Sequence, residues 1–217
     1  MISVKPHERE RARSLNRAID QALLEPGPDD AAKLCELGGR PSPVELAERV
    51  RRRAARLGGR SRKIPRRGDA LIAALYATAA PDWFTAWCDG SSNPAPPGRA
   101  GIGGVVRDPG GRVVARLARF HAGLDPFAAE IAALAAVLKA GLKARAQRMR
   151  VHTDCVALAR LWQEHRSDPR LNAVRALSRG FVALAIRAIP RNHNRPAHLL
   201  ARRAMAGPKR SSGPDRA

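Results

Sequence analysis

The chain has 217 residues, with 40 Lys and Arg against 19 Asp and Glu, a formal net charge of +21 and a sequence pI near 11.6. That length buries one full core with material left for a small appendage, and it excludes two large domains. A surplus of this size repels itself unless a polyanion neutralises it, so nucleic acid is the leading partner; a genome favouring Arg and Ala codons is the competing explanation.

The N-terminal segment MISVKPHERERARS lacks the apolar core of a signal peptide, and no run approaches about eighteen uninterrupted apolar residues. No membrane partner is expected, and a cytoplasmic location is. Residues 7–24 carry Ala, Leu and Ile at helical spacing, and EPGPDD then breaks the pattern and caps a second short helix through Leu37. In the next segment Ser42 is the N-cap, Pro43 takes the first helical position, and Gly58 and Gly59 end a third helix. Residues 60–69, RSRKIPRRGD, read as an exposed linker, followed by a short helix over 70–78. Residues 1–80 thus form a basic, all-helical extension.

From Trp83 the texture changes. An aromatic-rich, strand-like run ends on Asp89, and SSNPAPPGRAG is a loop by composition. Two apolar runs, 102–107 and 112–120, flank a DPGG turn and predict a β-hairpin. A long helix over 126–144 follows with Glu130 in its first turn, then a short strand over 149–153 ending at Asp154. Helices over 156–164 and 171–180, a last strand over 181–189 and a closing helix over 195–205 complete the order β β β α β α α β α. Residues 207–217 are a disordered basic tail by composition.

The three cysteines, Cys35, Cys88 and Cys155, are far apart and form no CxxC pair, which argues against a zinc knuckle and a disulfide framework. Taken singly, Asp89 before Gly90 fits an ordinary turn and Asp154 fits a cap for the following helix. Glu130 is harder to explain that way, because it interrupts an Ala-rich helix that otherwise looks buried.

The pieces CDGSSNPAPPGRAGIGGVVRDPGG, AAEIAALAAVLKA, VHTDC and IPRNHNRPAHLLARRA resemble, in order and spacing, ribonuclease H type 1, above all its short plant, archaeal and bacterial variants. The resemblance covers residues 83–206. It implies an α/β fold with a mixed five-stranded sheet, three antiparallel strands then two parallel, flanked by helices, and cleavage of the RNA strand of an RNA/DNA hybrid. Two divalent cations, Mg²⁺ or Mn²⁺, are implied as cofactors, held by Asp89, Glu130, Asp154 and a fourth residue. Phosphodiester hydrolysis needs an activated water and charge relief on the leaving oxygen, which two cations about 4 Å apart supply.

Two departures from the family pattern bear on activity. The fourth ligand is usually Asp, whereas this chain has His198, an imidazole better suited to Mn²⁺ than to Mg²⁺. The usual loop with a catalytic His is also missing, and His193 is the one candidate left in that connection, where a solvated turn is the simpler reading. Gly90, Ser91, Asn93 and Asn194 are the positions matching the family's contacts to substrate, where RNA is told from DNA by its 2′-OH groups. Lys143, Arg145, Arg148 and Arg150 are either phosphate contacts for the DNA strand or a solvated face.

The family's known hybrid-binding module is an aromatic-rich ββα unit, and residues 1–80 hold one aromatic, Tyr76. The basic run over 49–67 would either follow a phosphate backbone or dock a partner. Two other functions stay open: a non-catalytic nucleic-acid-binding module, and a nuclease of the same fold acting on DNA.

Overall fold

Four amphipathic stretches open the chain, and in the computed structural model each becomes a helix: α1 (Pro6–Leu24), α2 (Asp30–Gly38), α3 (Pro43–Leu57) and α4 (Ile64–Thr78). Residues 6–38, 42–78, 82–93, 95, 98–164 and 168–206 are described, so the C-terminal tail over 207–217 lies outside them. Leu15, Ile19 and Leu23 of α1, Leu34 of α2, Leu46 and Val50 of α3, and Ile64 and Leu75 of α4 form the core of this first unit. Ser42 and Glu45 make a reciprocal capping box at the start of α3: the Ser42 hydroxyl accepts from the Glu45 N–H at 3.2 Å, and the Glu45 carboxylate accepts from the Ser42 N–H at 2.9 Å.

Residues 60–69 are not a linker. After a single 3₁₀ turn over Gly58–Arg60, α4 begins at Ile64, which is fully buried. Pro65 reads as a breaker, yet in the first turn of a helix its missing N–H has no partner to lose. Ile64, Gly68, Leu71, Ile72 and Leu75 fall on one helical face, and the Arg67 guanidinium donates to the carbonyl of Leu23 at 3.1 Å, closing the end of α1.

The chain divides between Asp82 and Trp83, and the second unit is built on a sheet. Its elements in order are β1 (Phe84–Asn93), β2 (Arg99–Arg107), β3 (Val113–Ala122), α5 (Pro126–Lys143), β4 (Arg148–Thr153), α6 (Val156–Gln163), α7 (Asn172–Ser178), β5 (Ala183–Ala188) and α8 (Arg195–Met205). The spatial order is β3-β2-β1-β4-β5, with β1, β2 and β3 antiparallel and β1, β4 and β5 parallel. One face packs on α5, where Cys88, Ile102 and Val106 meet Leu134, Val137 and Leu138. The other face receives α8.

One boundary differs from the sequence expectation in a way that matters for the site. Strand β1 runs on through Ser91, Ser92 and Asn93, which pair with Gly101, Ala100 and Arg99, so ladder pairing overrides the weak strand preference of Gly, Ser and Asn. Helix α5 starts at Pro126 as expected, with Asp125 as its cap accepting from the Ala128 N–H at 2.8 Å; Glu130, its fifth residue, stands in the second turn and not the first. Among the described residues Cys35, Cys88 and Cys155 are free thiols, and no helix is long and apolar enough to cross a membrane.

Candidate active site

Side chains alternate across a strand, so Cys88 faces the α5 core while Asp89 faces the opposite side. Asp89 is only 2% exposed. Asp154 follows the end of β4, and the parallel register, which pairs Trp87 with His152, sets the two aspartates side by side two residues further on. Glu130 comes from α5, which crosses β1 at Gly90. A Cβ on Gly90 would lie 2.3 Å from the Glu130 backbone nitrogen, so this approach requires glycine.

The fourth residue arrives by the same device. Cβ atoms on Gly101 and Gly103 of β2 would lie 2.1 and 2.2 Å from the carbonyl oxygens of Ala201 and Ala197, so α8 lies directly on the β2 backbone. His198, in the first turn of α8, reaches Asp89 with Nδ1 3.2 Å from Oδ2. Its Nε2 lies 3.5 Å from an Arg191 guanidinium nitrogen. A guanidinium can only donate, so Nε2 is the acceptor and the proton sits on Nδ1, directed at Asp89. Asn194 is fully buried; its amide donates to the Cys88 carbonyl at 2.8 Å and to Oδ1 of Asp154.

This crowding shows in proton affinities. Burial, then the charge of Asp154, pushes Asp89 up to about 7, with Arg191 opposing. Burial, then Asp89 and Asp154, pushes Glu130 up to about 8, with a hydrogen bond from the Gly90 backbone and the charge of Arg191 opposing. Burial and Arg191 lower His198, which keeps its imidazole neutral near pH 7. Glu130 Oε2 is buried with no hydrogen-bond partner.

Three carboxylates, two of them holding protons unusually tightly and one with an orphaned oxygen, are hard oxygen donors that suit a divalent cation chemically. Among the described residues no three His, Cys, Asp or Glu side chains are grouped to hold a metal ion; His198 contacts Asp89, and Asn194 contacts Asp154.

The remaining predicted positions separate. Gly90 is pressed against α5, the Ser91 hydroxyl lies 3.7 Å from the sulfur of Met205, and the exposed Asn93 side chain accepts from the Ala95 N–H at 3.1 Å. These three continue along β1 beyond Asp89. Asn194 instead sits behind the carboxylates with its amide engaged, a positioning role. His193, expected in a solvated turn, is 2% exposed, because the short connection folds into a 3₁₀ turn against the unit. Lys143, Arg145 and Arg148 are exposed, and Arg150 lies over the Trp83 ring at 5.6 Å. They stand at the far end of α5 and the start of β4, roughly 20 Å along the helix from Glu130. Arg191 is the residue the sequence reading passed over; its place in the short connection before the last helix was the available signal.

The chain belongs to the reverse transcriptase-like family, whose profile matches residues 88–204. The second unit is an RNase H-like domain. It is similar to RNase H1 from the halophilic archaeon Halobacterium salinarum, at 27% identity and a TM-score of 0.53, over 58% of this chain and 98% of that one. The N-terminal RNase H domain of a Mycobacterium tuberculosis protein is 26% identical with a TM-score of 0.52, over 56% of this chain and 98% of that one. LC11-RNase H1 in complex with an RNA/DNA hybrid shares the fold at 22% identity and a TM-score of 0.51, over 57% of this chain and 96% of that one. No relative was found among curated proteins.

Proposed function

We propose that this chain is an endoribonuclease that hydrolyses the RNA strand of RNA/DNA hybrids with the help of divalent cations. The observation that carries the reading is the convergence of Asp89, Glu130 and Asp154 at one end of the sheet, so crowded that Asp89 and Glu130 hold protons near neutrality. A cluster of this kind is a poor structural device and a good cation site. The RNase H1 domains similar to this one supply the substrate class.

Asp89, Glu130, Asp154 and His198 would hold the cations. When bound, these supply an activated water and charge relief on the leaving oxygen. The chain itself fixes the two aspartates through parallel strand register and seats Glu130 through Gly90, while His198, now in contact with Asp89 and Arg191, would turn an unprotonated ring nitrogen to a cation. Ser91 and Asn93, next along β1, would meet 2′-OH groups of the RNA strand. A neutral imidazole in fourth position favours Mn²⁺ over Mg²⁺.

One observation favours a second reading, a binding module without chemistry: His198 and Asn194 already engage Asp89 and Asp154. Incubating labelled hybrid, DNA duplex and single-stranded RNA with Mg²⁺ or Mn²⁺ separates the two. Hydrolysis is expected only of RNA in the hybrid, lost in Asp89→Asn while hybrid affinity changes by less than about threefold. Wild-type rates in Asp89→Asn would refute the site. Hybrid affinity without any metal-dependent product would favour the binding module, and cleavage of duplex DNA would redirect the substrate.

A further inference from the structure

The arginine run of α3 does not act as one block. Arg53 pairs with Asp20 of α1, its Nε lying 2.6 Å from the carboxylate, and Arg51 pairs with Asp69 of α4 at 3.4 Å. These two tie the helices together. Arg49, Arg52 and Arg56 remain, at i, i+3 and i+7, on one stripe about 10 Å long.

That stripe lines a groove with Ala12 and Asn16 of α1, and Arg53 forms part of its wall. Among the described residues Arg49, Arg52 and Arg56 have no ion-pair partner. Of the two acids that precede the stripe on α3, Glu45 is turned back into its capping box with Ser42, and Glu48, one turn before Arg52, lines a neighbouring groove with Arg49 and Arg52 without an ion pair to either. Like charges at these spacings weaken a helix, so the stripe has no structural return of its own.

The lining selects among partners. Protein interfaces are anchored by aromatic and apolar side chains entering sockets, and this groove offers a single methyl, that of Ala12. The unit's one aromatic, Tyr76, is 3% exposed and belongs to its core. Guanidinium groups in a row match phosphate oxygens, and a stripe of about 10 Å equals the axial rise of roughly three nucleotides at ~3.4 Å each.

We propose that the α1–α3 groove is a second nucleic-acid site that grips the sugar–phosphate backbone through Arg49, Arg52 and Arg56 without reading sequence. It stands whether or not the carboxylate cluster is a nuclease centre.

The test measures binding of the full chain in EDTA, where no cleavage interferes, to fluorescent hybrid and DNA duplex across a salt series. The triple variant Arg49→Ala, Arg52→Ala, Arg56→Ala should lose at least about tenfold in affinity near 0.1 M salt, and its log K against log salt slope should be shallower by about 2 to 3. The matching triple Lys variant should keep most of the affinity, since the contact is one of charge. Circular dichroism melts of both triples should stay near that of the parent. Unchanged affinity and slope in the Ala triple would overturn the proposal, as would equal loss in the Lys and Ala triples. Competition by polyglutamate as effective as competition by DNA at equal charge would also overturn it, in favour of an acidic protein partner.

Discussion

Asp89, Glu130 and Asp154 crowd together where burial strips them of solvent, whereas Arg49, Arg52 and Arg56 crowd together on a helix face where Arg52 and Arg56 are exposed and Arg49 is half-buried. Both clusters lack enough opposite charge to balance them. In the first, burial is the leading cause of a large rise in the proton affinity of Asp89 and Glu130; in the second, water screens the like charges from one another. Burial, more than the number of charges, therefore sets how strongly a cluster demands a partner. The carboxylates call for cations of high charge density, and the arginines tolerate solitude and exchange partners easily.

The contrast can be broken most sharply by chemistry. Glu130→Gln should lower metal-dependent hybrid cleavage by on the order of 1,000-fold, about 4 kcal/mol on the barrier, in a single-turnover assay. Next in size, Gly103→Val would drive a side chain into the backbone of α8 and should reduce unfolding stability by about 3 kcal/mol in urea titrations.

A third prediction concerns pH in the absence of cations. Asp89 and Glu130 have folded values of about 7 and 8 against ordinary values of 3.8 and 4.5. Between these limits the folded chain holds more protons than the unfolded one, so stability falls as pH rises from about 4 to about 8. The expected loss is several kcal/mol, and Glu130→Gln should flatten the slope. A profile that rises with pH in EDTA would contradict the crowding.

The smallest effects separate the arginines. Arg53→Ala should destabilise by about 1 kcal/mol through loss of the Asp20 pair, while Arg52→Ala should stay within about 0.5 kcal/mol. Chemical denaturation of the two single variants resolves that difference.

The element order of the sheet unit was legible because alternating and helical apolar patterns differ, and Asp89 and Asp154 stood out at strand ends. The end of β1 was not, since Gly90, Ser91, Ser92 and Asn93 have poor strand preferences and are held by partners on β2. The start of α4 was hidden by Pro65, whose meaning depends on whether a helix begins beside it. His193 looked like part of a solvated turn and Asn194 like a substrate contact, yet both are buried. Arg191 had only its place in the short connection before the last helix to mark it, and its contact with His198 emerges from the fold.

The bare stretch of β2 under α8 has a further consequence for mutational scanning. Substitutions at Gly101 and Gly103 would erase activity as thoroughly as substitutions at Asp89, though neither glycine has a functional group to offer a substrate. A saturation library scored on cleavage alone would rank them with the reacting residues. Scored on cleavage and abundance together, the glycines should fall on both axes and Asp89 on one, which separates the floor of the site from its chemistry.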